Sequence, residues 1–140
     1  MDNIRKITNF YENLKRENVS RLTDIYEEDT FFKDPFNELK SVSQIAKIFD
    51  EMFVELDDPR FIFIDQISQG TQLFLTWDFV FSRNGKAFKI HGSSHLKLSD
   101  KGKISYHRDY WDVGEELLLK LPIVKVIYGA LRRKLSVDDK

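Results

Sequence analysis

The 140-residue chain contains no cysteine, which removes disulfide scaffolds and thiolate chemistry and leaves histidine and the carboxylates as candidate metal ligands. It also lacks a net charge of any size. Its 22 lysines and arginines stand against 23 acids, so no field over the whole surface recruits nucleic acid or an anionic membrane. No apolar run is long enough to span a bilayer, and the first 18 residues are charged throughout, without the apolar segment of a signal peptide. A cytoplasmic protein with no nucleic-acid partner is the expectation. What the chain has in excess is phenylalanine, 12 of them, which points to a core or cavity lined with large flat surfaces. The length suits a single domain, 1–140, with a core of its own.

The order of elements follows from periodicity. Ile4, Ile7, Phe10, Tyr11 and Leu14 recur at helical spacing, and a second short helix carries Val19, Leu22, Ile25 and Tyr26. Residues 31–36, FFKDPF, form a short strand ended by Pro35. Ser43 is expected to cap a third helix through Ile45, Phe49 and Met52, stopped by Asp57, Asp58 and Pro59. Four strand-like runs follow at 60–69, 71–83, 87–98 and 103–112. Their separators are Gly70, Arg83-Asn84-Gly85 and Asp100-Lys101-Gly102, residues that tolerate positive φ as hairpins require. Helices followed by a meander of strands is an α+β pattern, and a curved, mainly antiparallel sheet against helices encloses a cone with an open mouth. Residues 113–140 read as a helical extension. Its apolar stripe Leu117, Leu121, Val124, Tyr128, Leu131 and Leu135 suits packing or a dimer contact, with membrane contact beside Arg132, Arg133 and Lys134 as the lesser alternative.

Several side chains carry candidate chemistry. Asp34 sits among phenylalanines directly before Pro35. It either caps a local turn or stands as a desolvated carboxylate in an apolar pocket. On the last strand, period-two alternation puts Ser105, His107, Asp109 and Trp111 on one face, with His107 and Asp109 roughly 7 Å apart at the backbone, an acid/base pair within reach of one substrate. Asp78, alone in an apolar run, needs a partner, either His91 on the outer face or the cavity groups. His91 and His95 are separated by about 13 Å along one strand and cannot share a metal ion; no metal or other cofactor is expected. Gly92 is expected to mark a bulge or bend.

Asp34-Pro35-Phe36, Gln44-Ile45-Ala46, Asp100-Lys101-Gly102-Lys103-Ile104 and Arg108-Asp109-Tyr110-Trp111-Asp112 make residues 3 to 112 resemble the nuclear transport factor 2-like superfamily. That superfamily includes ketosteroid isomerases, limonene epoxide hydrolases and SnoaL-like polyketide cyclases, and the resemblance implies the cone-shaped fold. From the isomerases it implies a general-base role for Asp34. Counted without gaps from Asp34, however, the isomerase's oxyanion tyrosine falls on Phe10, its second oxyanion donor on Ser94 and a supporting tyrosine on Phe49, with Tyr11 pointing elsewhere. Steroid isomerisation is therefore not expected. Arg108-Asp109-Tyr110 resembles the epoxide hydrolases, and SnoaL-like cyclases also place a catalytic aspartate on this strand, so Asp109 takes that role by position. Where the hydrolase pattern has Arg-x-Asp on the third strand, this chain has Thr76-x-Asp78.

Three functions fit these residues. One is a cofactor-independent isomerase, cyclase or hydrolase of a small hydrophobic molecule, with Asp34, Asp109 and His107 catalytic and Tyr26 assisting. Another is a carrier or sensor whose pocket is formed by Tyr26, Phe32, Phe36, Trp77, Ser94 and Trp111. The third is an interaction module that dimerises through the sheet, and a homodimer is expected in any case.

Overall fold

Helix α1 (Asn3–Glu12) turns Ile7, Thr8 and Tyr11 inward, one stripe at helical spacing that Leu14 continues. Where a second α-helix was expected, a 3₁₀ helix (Arg16–Asp24) forms, buries Val19 and Leu22, and releases the chain into strand β1 (Tyr26–Lys33). Tyr26 is thus the first residue of a strand rather than part of a helix. In the computed structural model the described residues are 3–116 together with 130, 133 and 134.

Strand β2 (Glu38–Leu39) pairs back on β1, and α2 (Val42–Glu55) follows. Its cap is Ser41 rather than Ser43: the Ser41 hydroxyl accepts from the Gln44 amide at 3.3 Å, satisfying a donor the first turn leaves free. Val42, Ile45 and Phe49 form its buried stripe. Strands β3 (Asp57–Gln69), β4 (Gln72–Arg83), β5 (Lys86–Leu98) and β6 (Ile104–Tyr110) then run as successive hairpins. The turns use the left-handed backbone the sequence provides, with Gly70, Asn84, Gly85 and Gly102 at φ of 61°, 52°, 75° and 74°. Gly102 has a second reason to be glycine, because the Asn3 side chain of α1 lies where a Cβ would stand.

The six strands are ordered β2-β1-β6-β5-β4-β3. All neighbours are antiparallel except β1 and β6, which are parallel. Hairpin signals report only sequential neighbours, so they are silent about this pairing, which joins Tyr26 to Ile104 and Lys33 to Arg108. Register shifts leave Ile64 as an extra residue on β3 and Ser105 on β6, with further extra residues on β1 between Tyr26 and Phe31. Such insertions raise the local twist and bend a sheet. Gly92 is no bulge. It pairs regularly opposite Trp77, where its missing side chain leaves room for the indole.

The chain divides into two units, Met1–Tyr110 and Trp111–Lys140. The first holds the whole sheet, with α1 against β3 and α2 against the 3₁₀ helix, β1 and β3. In the second, α3 (Val113–Glu116) starts with its Glu115 amide donating to Asp112 Oδ1 at 3.0 Å. The expected apolar stripe from Leu117 to Leu135 lies outside the described residues. Among the described residues no helix is long and apolar enough to cross a membrane.

Candidate active site

Alternation along the central strands sends Leu75 and Trp77 of β4, Ser94 and Leu96 of β5, and His107 and Asp109 of β6 to the face that the helices cover. Phe61 and Phe63 of β3, Phe49 of α2 and Tyr11 of α1 complete the walls of a recess whose enclosed space is about 20 Å³ and which opens to solvent. Tyr11 meets Phe49, Phe61 and Phe63 edge to face with ring centroids 5.8, 5.5 and 6.4 Å away, the arrangement that ring quadrupoles favour. The polar groups gather at one end.

There a single hydrogen-bonded chain crosses five elements. Trp77 Nε1 donates to Ser94 Oγ at 2.8 Å, and Ser94 Oγ donates to Asp109 Oδ1 at 2.5 Å. His107 Nε2 lies 2.6 Å from the same Oδ1, and its Nδ1 lies 2.6 Å from the Tyr26 hydroxyl, which in turn bonds to the Tyr11 hydroxyl. An indole only donates and a carboxylate only accepts, which fixes the Ser94 proton and the His107 Nε2 proton on Asp109. For a neutral imidazole, Nδ1 then accepts from Tyr26, and Tyr26 accepts from Tyr11. Among the described residues Asp109 Oδ2 accepts no hydrogen bond, and the Asp109 side chain keeps 18% of its surface against 5% for His107.

Burial dominates the two tyrosines. Desolvation pushes both hydroxyls above the ordinary tyrosine range, more than offsetting, for Tyr11, its hydrogen bond with Tyr26; the charge of Asp109 adds a smaller push in the same direction. With folded values raised above the unfolded ~10, this contribution to stability is intact below pH ~10 and is lost as pH rises beyond it, where the unfolded chain releases protons that the native state keeps. Urea unfolding between pH 7 and 11 is expected to show stability falling above about pH 10, and Tyr11→Phe with Tyr26→Phe to flatten that fall.

Of the residues marked from sequence, Asp109, His107, Ser94 and Trp77 line the recess together. Tyr26 stands behind it, 1% exposed, stacked on the His107 ring at 5.9 Å. Phe32 does not line the recess either; it is buried with its ring 4.8 Å from that of His107, a support rather than a wall. Trp111 falls in the second unit.

Asp34 and Phe36 are corrections. Asp34 Oδ1 accepts from the Phe36 amide at 2.8 Å and the Asn37 amide at 2.7 Å, and the Asn37 side-chain amide reaches both its oxygens. Its carboxylate is the cap of the turn after β1 and takes no part in the recess. Phe36, 65% exposed at that turn, is no pocket wall. Asp34→Ala is accordingly expected to cost about 1 kcal/mol in a urea melt, as loss of a capping oxygen does, and to leave chemistry at Asp109 unchanged.

Tyr11 is the residue sequence reasoning missed. It is 6% exposed while Phe10 is half-buried at the helix edge, and the signal was present in the Ile7-Tyr11-Leu14 stripe. On the opposite face of the sheet, Asp78 Oδ1 meets His91 Nδ1 at 2.8 Å and His95 Nε2 meets Gln72 Oε1 at 2.8 Å. Among the described residues no three histidines or acids gather closely enough to hold a metal ion.

A family model described as a SnoaL-like domain matches residues 7–107. Similar solved structures include a limonene epoxide hydrolase-like epoxide hydrolase of Mycobacterium tuberculosis, with 16% identity, 89% of this chain and 95% of that one covered, and a TM-score of 0.71. A putative SnoaL-like polyketide cyclase from Shewanella putrefaciens aligns with 15% identity, coverage of 82% and 95%, and a TM-score of 0.68. A nuclear transport factor 2-like protein of unknown function from Cytophaga hutchinsonii gives 17% identity, 82% and 94%, and 0.65. At these identities the likeness establishes the fold, which is nuclear transport factor 2-like. No curated protein matches the chain.

Proposed function

The chain belongs to the SnoaL-like domain family, and from that premise we propose that it is an acid/base enzyme acting on a small apolar molecule, an isomerase, cyclase or hydrolase that needs no bound cofactor. The observation that supports this reading is the single carboxylate, Asp109, anchored through one oxygen by Ser94 and His107 at the end of an otherwise aromatic recess. Two donors on Oδ1 hold the side-chain rotamer and leave Oδ2 as the base. Phe49, Phe61, Phe63 and Trp77 keep bulk water from competing for the substrate proton. Tyr11 adds a hydroxyl for a substrate oxygen that gains negative charge as the proton leaves. The similar structures include one named an epoxide hydrolase and one named a putative polyketide cyclase.

The test is proton exchange. Wild-type protein and Asp109→Asn are incubated in D₂O with a panel of small apolar enolisable ketones and epoxides, and deuterium uptake and ring opening are followed by NMR. Wild-type turnover that vanishes in the variant supports the reading. Ligand binding without exchange in either protein assigns a carrier instead, and exchange equal in both removes Asp109 from the chemistry.

A homodimer through the sheet belongs to the same proposal. Ile62, Ile64, Ile67, Phe74 and Tyr110 stand between 38% and 65% exposed, more apolar surface than a lone sheet face comfortably shows to water. Sedimentation velocity at micromolar concentration is expected to give a dimer, and a monomer at every concentration would count against it.

A further inference from the structure

Asp109 explains one end of the hydrogen-bonded chain, but a base needs only the carboxylate and the donors that hold it. Tyr26 and Tyr11 extend the hydrogen-bonded chain beyond His107 into the helical layer, and among the described residues both hydroxyls bond only to each other and to His107. Such an arrangement is bistable. With neutral His107, Tyr11 donates to Tyr26 and Tyr26 donates to Nδ1. One added proton on His107 reverses every bond: Nδ1–H donates to the Tyr26 oxygen, Tyr26 donates to the Tyr11 oxygen, and the Tyr11 proton turns toward the recess that its ring lines. Nε2–H stays on Asp109 in both states.

We infer that Tyr11, Tyr26 and His107 form a proton relay that delivers a proton from the His107 imidazolium to the recess through the Tyr11 hydroxyl, making Tyr11 the general acid that complements Asp109. The step balances in protons. Tyr11 O–H breaks as a substrate oxygen–hydrogen bond forms, Tyr26 passes its proton to Tyr11, and His107 passes the Nδ1 proton to Tyr26. The imidazolium ends neutral, the substrate gains one proton, and no other bond changes. Tyr26 acts only through its neighbours and is a positioning and conducting residue.

The surroundings suit a proton carried in this way. The titratable groups that face His107 are Tyr26 from β1, Tyr11 from α1 and Asp109 from its own strand. From α2 and β3 come Phe49, Phe61 and Phe63, β4 and β5 contribute Leu75, Trp77, Ser94 and Leu96, and among the described residues no lysine or arginine lines the recess. Among these residues the positive charge of the imidazolium is balanced by Asp109, at 2.6 Å. Desolvation keeps both tyrosines as hydroxyls, able to hand on a proton without resting as phenolates.

The relay rests on the acid/base reading of the recess, so its test needs no substrate. Protein labelled with ¹⁵N-histidine and ¹³Cζ-tyrosine is titrated by NMR from pH 4 to pH 9. The expected result is one shared inflection, at which the His107 nitrogens change state and the Tyr11 and Tyr26 Cζ signals shift together. In Tyr26→Phe the Tyr11 signal is expected to stay flat while His107 still titrates against Asp109. A Tyr11 signal flat through the wild-type titration, or a His107 with one protonation state throughout, overturns the relay without touching Asp109. A shared inflection in a protein that exchanges no substrate proton upholds the relay and sinks the catalytic reading.

Discussion

Asp109→Asn is expected to slow proton exchange on whichever panel substrate reacts by about 10²–10⁴-fold, the range that a positioned acid or base contributes, while binding of that substrate changes little. The substitution is nearly isosteric. Its carbonyl oxygen still accepts from Ser94 and His107, as Oδ1 does at 2.5 and 2.6 Å, so the anchoring survives and the amide nitrogen takes the place of the free Oδ2. What disappears is the lone pair that receives a proton and the negative charge. The loss should therefore fall on kcat rather than KM, as it does when an interaction made only in the transition state is removed. A second readout separates lost chemistry from a damaged fold. Because the Asp109 charge helps to raise the proton affinity of both buried tyrosines, the variant's alkaline loss of stability should still begin at pH ~10, where the unfolded chain releases its protons, but be slightly smaller. A variant that loses exchange but shows no movement of the tyrosines would mean that Asp109 does not face them electrostatically, and a variant that keeps exchange would move the base elsewhere.

Much of this site was legible because the relevant signals are local. Two residues on one strand share a face, so His107 and Asp109 could be paired from spacing alone, and cross-strand pairing offered His91 as one of two settings for Asp78, the one that forms. Turn residues with positive φ announced the β3 to β6 hairpins. Most of the misses were non-local or dependent on a one-residue phase. The extra residue on β6 leaves Ser105, expected on the face of His107 and Asp109, exposed, and Ile104 beside it fully buried. The parallel β1–β6 pair joins segments about 80 residues apart and carries no turn signature. Tyr11 lay one residue from the position singled out on α1, a third of a turn that decides between helix edge and cavity wall. Asp34 was read by the company of its aromatic neighbours, yet the nearest donors to an Asp-Pro carboxylate are the amides of its own turn, and at 2.7–2.8 Å they hold it.

Trp77→Ala is expected to cost about 3–5 kcal/mol and to lower Tm by roughly 10–20 °C for a chain of this size. The indole is 4% exposed on β4, between Phe63 of β3 and Gly92 of β5, with its ring edge-on to Phe61 at 5.8 Å. Truncation removes that packing and leaves a void that Gly92, with no side chain, cannot fill. It also deprives Ser94 Oγ of the Nε1–H donor at 2.8 Å. Trp77→Phe divides the two losses: it keeps most of the ring and removes only the hydrogen bond, so about 1 kcal/mol beyond the change in volume is expected. Urea melts of the two variants, read together with proton exchange, test whether the wall of the recess and the core of the sheet are the same object. If they are, Trp77→Phe slows exchange more than its small destabilisation suggests, because a Ser94 hydroxyl released from the indole can rotate away from Asp109 and loosen the base. A Trp77→Ala protein within about 1 kcal/mol of wild type would mean that the recess collapses freely around a lost ring, and a site that collapses so easily could not hold Asp109 in a fixed geometry against a substrate.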